Sequence, residues 1–359
     1  MKKLDLNEFR NPQIIRKIVN KLQNWRKPIK IMEVCGSHTM AIGHWGIRKL
    51  LPSSISLISG PGCPVCVTPA SLIDELIKLN DVTIAVFGDL LRVPGKDGTL
   101  EQARAKGLDV RIVYSPLEAL KFAEDKETIF VGIGFETTIP GVAQTILEAQ
   151  KRKLKKFSVF PAFKLVPPAL DALLSSEEVA INGFLLPGHV SVVIGSDAYE
   201  FLPKKFEIGG VIAGFEPLDI LQAVNILTEQ IKENKPKIEN EYNRVVSKTG
   251  NYQAQKVMNE VLQPQDALWR GIGWIPKSGL GIKKKYENFD ASKKYHIELS
   301  ESEETNGCKC GDVLKGTIIP PECSFFGKIC TPENPLGPCM VSSEGSCAAY
   351  YKYETYENN

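Results

Sequence analysis

The sequence predicts an α/β protein built on parallel sheets, and three observations carry that expectation. Short apolar or β-branched runs recur along the first 215 residues. Segments with helical apolar spacing separate them, giving repeated βα units, and right-handed crossovers then force parallel strands with helices on the faces. Many of the runs end on Gly, Asp, Ser or Cys, as strands do when they feed turns.

Strands are expected at 29–34, 55–59, 82–87, 110–113, 128–133, 157–160, 180–185 and 208–212. Helices are expected at 69–79, where Leu72, Leu76 and Leu79 share a face and Pro69 suits a first turn, and near 138–150, 166–175 and 217–232. Two smaller sheets fit this number of strands better than one large sheet. After 233, Glu-Asn-Lys-Pro-Lys-Ile-Glu-Asn interrupts the rhythm and reads as a linker or helix end. Trp269-Arg270-Gly271-Ile272-Gly273-Trp274-Ile275-Pro276 is too glycine-rich for a helix interior and reads as a packed loop or hairpin, and 286–306 as surface or flexible chain. The expected division is 1–120, a first α/β domain; 121–235, a second; and 236–359, a carboxyl-terminal domain.

A chain of 359 residues can bury a large core without staples. Lys plus Arg at 44 against Asp plus Glu at 42 leaves +2, without the basic excess of a nucleic-acid binder. The run Lys151-Arg152-Lys153-Leu154-Lys155-Lys156 has no interleaved aromatics and reads as a solvated helix end. No stretch approaches the ~20 apolar residues of a membrane span, and the amino terminus has no signal-peptide core. Nine cysteines, an odd number confined to two stretches, argue against a secreted disulfide scaffold and for a reducing, cytoplasmic setting.

In open α/β sheets, functional groups gather beyond the carboxyl ends of the strands. Here those ends carry Cys35-Gly36-Ser37-His38-Thr39, Gly60-Pro61-Gly62-Cys63-Pro64-Val65-Cys66, Gly88-Asp89-Leu90-Leu91-Arg92, Gly134-Phe135-Glu136-Thr137-Thr138, Pro187-Gly188-His189 and Gly214-Phe215-Glu216. Cys63 and Cys66, read as an exposed turn leading into a helix, have the spacing of a redox thiol pair and are also half of a metal site; buried structural thiols are the competing reading. Cys35 with His38 fits a Cys–His nucleophile pair or soft metal ligands. His44 reads as helix-side packing, His189 as either structural or functional, and His296 has no assigned role. Glu136 reads as a cap region or as an acid–base group at the mouth of the second sheet, and Asp89 and Arg92 share that ambiguity. Gly95-Lys96-Asp97-Gly98-Thr99 lacks the pattern of a phosphate loop.

The remaining six cysteines, at 308, 310, 323, 330, 339 and 347, are interspersed with glycines and prolines. They lack paired Cys-x2-Cys knuckles and a nearby histidine, so an iron–sulfur cluster with two spare thiols is favoured over zinc or disulfides.

Cys35-Gly-Ser-His-Thr39, Gly60-Pro-Gly-Cys-Pro-Val-Cys66, Gly134-Phe-Glu-Thr-Thr138, Leu186-Pro-Gly-His189 and the tail Cys323–Cys347 together resemble the HypD family of [NiFe]-hydrogenase maturation proteins, over about 30 to 350. The resemblance implies two similar α/β domains around a cleft and a third, loop-rich domain with a [4Fe–4S] cluster. It implies a scaffold on which an Fe(CN)2(CO) group is assembled with a HypC-type chaperone and a HypE-type cyanide donor, before delivery to the hydrogenase large subunit. Cys35 would hold the iron, a transient Fe(II) carrying CN and CO, with His38 and Glu136 lining the cleft and Cys63 and Cys66 as redox thiols. Cys308, Cys323, Cys330 and Cys347 would hold the cluster, with Cys310 and Cys339 as a dithiol beside it, an arrangement similar to ferredoxin:thioredoxin reductase. A monomer forming transient complexes is expected. The alternative is an iron–sulfur-dependent protein disulfide reductase acting through Cys63 and Cys66.

Overall fold

A computed structural model describes residues 6–176, 180–301 and 307–354. Of the stretches read above, 1–5 of the amino terminus and 302–306 of the polar segment lie outside the described residues. The strands are β1 (Ile29–Glu33), β2 (Ile55–Ser59), β3 (Thr83–Val86), β4 (Val110–Ile112), β5 (Thr128–Gly134), β6 (Phe157–Phe163), β7 (Gly183–Pro187), β8 (Gly209–Ala213) and β9 (Ile238–Asn240), followed by β10 (Leu262–Trp269) and β11 (Gly273–Ile282).

Two parallel sheets form, as expected. One has the order β2-β1-β7-β8-β9 and the other β4-β3-β5-β6. Strands β5, β6, β7 and β8 are buried on both faces, which is why they read as continuous apolar runs without alternation.

The sheets do not follow the chain division at residue 120. β1 pairs with β2 on one side and, past β3 and β4, with the distant β7 on the other: Glu33 lies in register with Ser59 and with Leu185. β3 pairs with β4 and, across that boundary, with β5. The chain therefore starts one sheet, builds the other from 83–163, and returns.

The carboxyl-terminal region is loop-rich, as expected, but the chain from 236 onward also adds regular elements to the two sheets' surroundings. β9 extends the first sheet, and the helix Tyr252–Val261 shares an apolar core with the helix Ile139–Lys151 through Met258, Val261, Val142 and Ile146. β10 and β11 form the antiparallel hairpin foreseen around residues 269–276, turning at Gly271 (φ 77°) and Gly273 (φ 96°). A side chain at Gly271 would collide with the backbone of Gly311, 2.3 Å away.

The cysteine-rich segment, 307–354, packs onto the strand ends of the first sheet. Its last helix, Ser346–Glu354, lies on the helix Gly36–His44, with Arg48 bonded to Glu354 at 2.5 Å and stacked over Tyr350. One apolar cluster joins Met32, Val34, Ile58, Phe135 and Trp269 to Leu314, Met340 and most of the cysteines. Among the described residues no helix is long and apolar enough to cross a membrane.

Candidate functional site

The carboxyl ends of β1, β2, β7 and β8 converge on Cys35. It ends the β1 segment in an extended conformation and stands immediately before the helix Gly36–His44. Gly62, in the turn after β2, presses on it: a Cβ at Gly62 would sit 2.2 Å from Cys35 N, and Gly36 N donates to Gly62 O at 2.8 Å. Only glycine allows that approach. The thiol is 7% exposed, and burial, with the nearby Glu344 carboxylate, pushes it up to about 12, although N–H groups of His38 and Ser37 pull the other way. At neutral pH Cys35 is a thiol.

His38 is not in a loop. It lies inside the helix, fully buried, with Nε2 donating to Gly214 O at 2.9 Å and Ala213 O at 3.2 Å. Burial lowers it to about 4, so the ring is neutral, and Nδ1 is an acceptor with no partner among the described residues. Phe215 stacks between His38 (4.7 Å) and His189 (4.1 Å). His189 approaches Ser37 Oγ at 3.5 Å, and Ser37 Oγ donates to Glu344 Oε1 at 2.5 Å. His44 packs its edge on Trp45 and Tyr353, as a helix-side residue should.

Cys63 and Cys66 depart from expectation. They occupy a turn, and the next helix starts only at Ser71. Gly-Pro-Gly does not hold them at the surface either, because the cysteine-rich segment covers the turn: Cys63 is 3% exposed and Cys66 0%. Burial pushes Cys66 well above an ordinary thiol, so no helix terminus activates it. It is Cys35 that stands at a helix start. Cys63 Sγ accepts from Cys66 N at 3.3 Å and donates to Ser342 Oγ at 3.3 Å.

Glu136 follows β5 and is buried at 2% exposure. Oε1 accepts from Val166 N at 3.0 Å at the start of the helix Val166–Ser175, Oε2 has no partner among the described residues, and burial raises the carboxyl to about 7. Tyr199 is fully buried, accepts from Ser191 Oγ at 3.3 Å, and is pushed up by burial and by the charges of Glu136 and Cys35. Lys164, just past β6, is 2% exposed and lowered to about 7 by burial. Neither Tyr199 nor Lys164 carried any sequence signal, since each looks like an ordinary polar residue beside a strand or helix.

Cys308, Cys310, Cys323, Cys330 and Cys347 line one cavity with Phe325, Phe326, Leu336 and Met340. Cys308 and Cys310 are 3.3 Å apart, and Gly337 gives them room: a Cβ there would lie 2.5 Å and 2.7 Å from their sulfurs. Five soft donors in an apolar wall, with no carboxylate or imidazole among them, fit a thiolate-held iron–sulfur cluster, and four of the five could hold it. No three His, Cys, Asp or Glu among the described residues converge tightly enough to hold a single ion. Cys339 is fully buried behind the cavity, where contacts with Cys310, Cys347 and Cys66 hold it down. Cys310 thus faces both the cavity and Cys339. Sulfur contacts run without a break from Cys63 through Cys66 and Cys339 to the cavity.

A family model described as "Hydrogenase formation hypA family", HypD, matches residues 11–354. The chain belongs to the HypD family. It is 42% identical to a protein named hydrogenase maturation factor HypD2 from Bradyrhizobium diazoefficiens, over 98% of this chain and 97% of that one. It is also 42% identical to hydrogenase maturation factor HypD from Escherichia coli, over 98% and 99%, and to that from Azotobacter vinelandii, over 97% and 96%. HypD membership agrees with the resemblance carried by the five motifs, and four of those motifs meet around Cys35 and the thiol path.

Proposed function

We propose that this HypD-family chain acts in hydrogenase maturation as a scaffold on which iron receives its CN and CO ligands, with Cys35 as the thiol that holds the metal. The observation that carries the reading is the junction at Cys35: a buried thiol at the meeting of four strand ends, beside a neutral His38 whose Nδ1 is unpaired. Iron is the substrate here. A soft, buried thiolate suits low-spin Fe(II) with strong-field ligands, and binding replaces the thiol proton by the metal. The neutral imidazole and the Tyr199 phenol can hold or orient polar groups without adding charge to a buried site. Because Cys35 is covered, cargo enters when a partner opens the cleft, and a HypC-type chaperone and a HypE-type cyanide donor are the expected partners in a cytoplasmic setting.

A [4Fe–4S] cluster in the five-cysteine cavity would supply single electrons. Thiol chemistry then connects that cavity to the cleft. If Cys63 and Cys66 form a disulfide, the Cys339 thiolate can attack Cys66, making a Cys66–Cys339 bond and releasing Cys63, which Ser342 hydrogen-bonds. Attack of Cys310 on Cys339 forms Cys310–Cys339 and frees Cys66. Two electrons pass, one disulfide breaks, one forms, and the two thiol protons move to Cys63 and Cys66.

Infrared spectra of anaerobically purified protein, with and without its small partner, test the assignment. Iron-bound CN and CO stretches are expected in wild type and not in Cys35→Ala. Their absence from both wild-type preparations, despite full iron loading and an active maturation system, overturns it. The continuous sulfur path also favours a second reading, a protein disulfide reductase; rapid turnover of thioredoxin-like substrates without bound cyanide would select it.

A further inference from the structure

Asp89 and Arg92 stand outside the proposed chemistry, yet both reach from the turn after β3 to the cysteine-rich segment. Asp89 Oδ2 accepts three hydrogen bonds, each 3.0 Å, from Ser342 Oγ, Ser343 N and Ser343 Oγ. Arg92 Nη2 donates to Pro332 O at 2.5 Å. Three bonds on one carboxylate oxygen are an unusual concentration for a surface loop, and bonds to an ionised acceptor are stronger than neutral ones.

The next residue is what gives this anchor a consequence. Glu344 accepts from Ser37, and its own backbone and Cβ cover Gly36, where an added Cβ would lie 2.4 Å from Glu344 Cβ and 2.6 Å from Glu344 O. Gly36 adjoins Cys35. On its other side the stretch is fixed by Gly345, which packs so closely on Cys339 that an added Cβ would lie 2.1 Å from Cys339 O. Residues 339–347 therefore span from the cysteine-lined cavity to the mouth of Cys35, and Asp89, on the second sheet, grips the middle.

We propose that Asp89 is a positioning residue that holds the Ser342–Gly345 strap over Cys35, so that release of the two serines from Asp89 uncovers the thiol. The strap joins three parts: the second sheet through Asp89, the first sheet through Ser37, and the cavity through Cys339. A partner that draws the second sheet away from the first would pull the serines off their acceptor and open Cys35 without unfolding either sheet. The inference rests on reading Cys35 as the iron-holding thiol, but the opening itself is independent of iron.

The test is site-resolved alkylation by iodoacetamide in the anaerobically purified full chain, with each cysteine quantified by mass spectrometry. Losing hydrogen bonds to a carboxylate shifts a local opening equilibrium by about tenfold or more. Asp89→Ala should therefore raise Cys35 labelling by at least that factor and leave Cys323, already partly exposed, unchanged. Asp89→Asn keeps an acceptor oxygen and should restore the slow rate. Ser343→Ala, at an exposed position, removes one donor and should give an intermediate rate, which carries the test if Asp89→Ala does not fold. Cys35 labelling within about twofold of wild type in the folded variants overturns the proposal. So does an equal rise at Cys35 and at the fully buried Cys66, which would mean general loosening. Slow wild-type labelling with the predicted rise, but no iron-bound CN or CO, would leave the strap standing and sink the iron assignment alone.

Discussion

Cys63 donates its S–H to the hydroxyl of Ser342 across 3.3 Å, joining residues 279 positions apart. The same hydroxyl donates to Asp89. The redox-spaced pair, the cysteine-rich segment and the second sheet thus meet at one serine, and perturbing any of them should be felt at Cys35.

Close backbone packing should make the Cys35 junction intolerant of the smallest substitution. Gly62→Ala would place Cβ 2.2 Å from Cys35 N. Overpacking of that kind costs about 1–3 kcal/mol, and the expected fall in Tm is at least about 2 °C. Gly141→Ala makes the opposite comparison: nothing lies within 4 Å of its added Cβ, and it sits in the helix Ile139–Lys151. That change should stabilise by roughly 0.5–1 kcal/mol. Thermal unfolding of both variants checks the contrast.

Cys35 should titrate far above an ordinary thiol. With the group pushed from 9.0 to about 12, its thiolate is a minor species throughout the neutral range. Alkylation depends on the thiolate, so the Cys35 rate should climb about tenfold per pH unit through pH 8–10. In the unfolded chain the same cysteine should level off above about pH 9. A plateau near neutral pH in the folded protein would contradict the burial argument.

Glu136 should make stability fall as pH rises. Its carboxyl is raised from 4.5 to about 7 by burial, so the folded state holds the proton more tightly than the unfolded one. The stabilisation is full below pH 4.5 and is lost as pH rises through about 7. Between pH 5 and pH 8 wild type should lose about 2–3 kcal/mol relative to Glu136→Gln, which has no proton to release. Lys164 works the other way, since its lowered ammonium disfavours the folded state as pH falls through about 7. Denaturation of wild type and Glu136→Gln across that range isolates the carboxyl.

Cys339 should connect the thiols without holding the cluster. Cys339→Ala is expected to keep the iron and sulfide content and visible absorbance of the purified protein. Reduction of a Cys63–Cys66 disulfide should slow by at least about tenfold, because the attacking sulfur is gone. Loss of iron and sulfide would instead make Cys339 a ligand.

The sequence by itself determined eight strands of the two parallel sheets, the α/β class and the gathering of chemistry at strand ends, but not β9, which lies in the stretch read as a linker or helix end. Runs such as 128–133 and 208–212 have no alternation because both faces of those strands are buried, and that burial is written in composition. The motifs also named Cys35, Cys63, Cys66, Glu136 and the six later cysteines, and it took only the spacing of those six to suggest a shared cavity, which five of them line. Tertiary structure alone decided which strands pair. No local pattern says that β1 should wait for β7, because pairing over 150 residues depends on how the helices between them pack. That choice is what brings His189 and Phe215 against Ser37 and His38, just after Cys35 in the chain. Folding of the tail over the Cys63–Cys66 turn reversed its expected exposure and turned Ser342, Ser343 and Glu344 from three polar letters into the cover of the site. Burial belongs to the packed chain, and with it the protonation of Cys35, His38, Glu136 and Lys164.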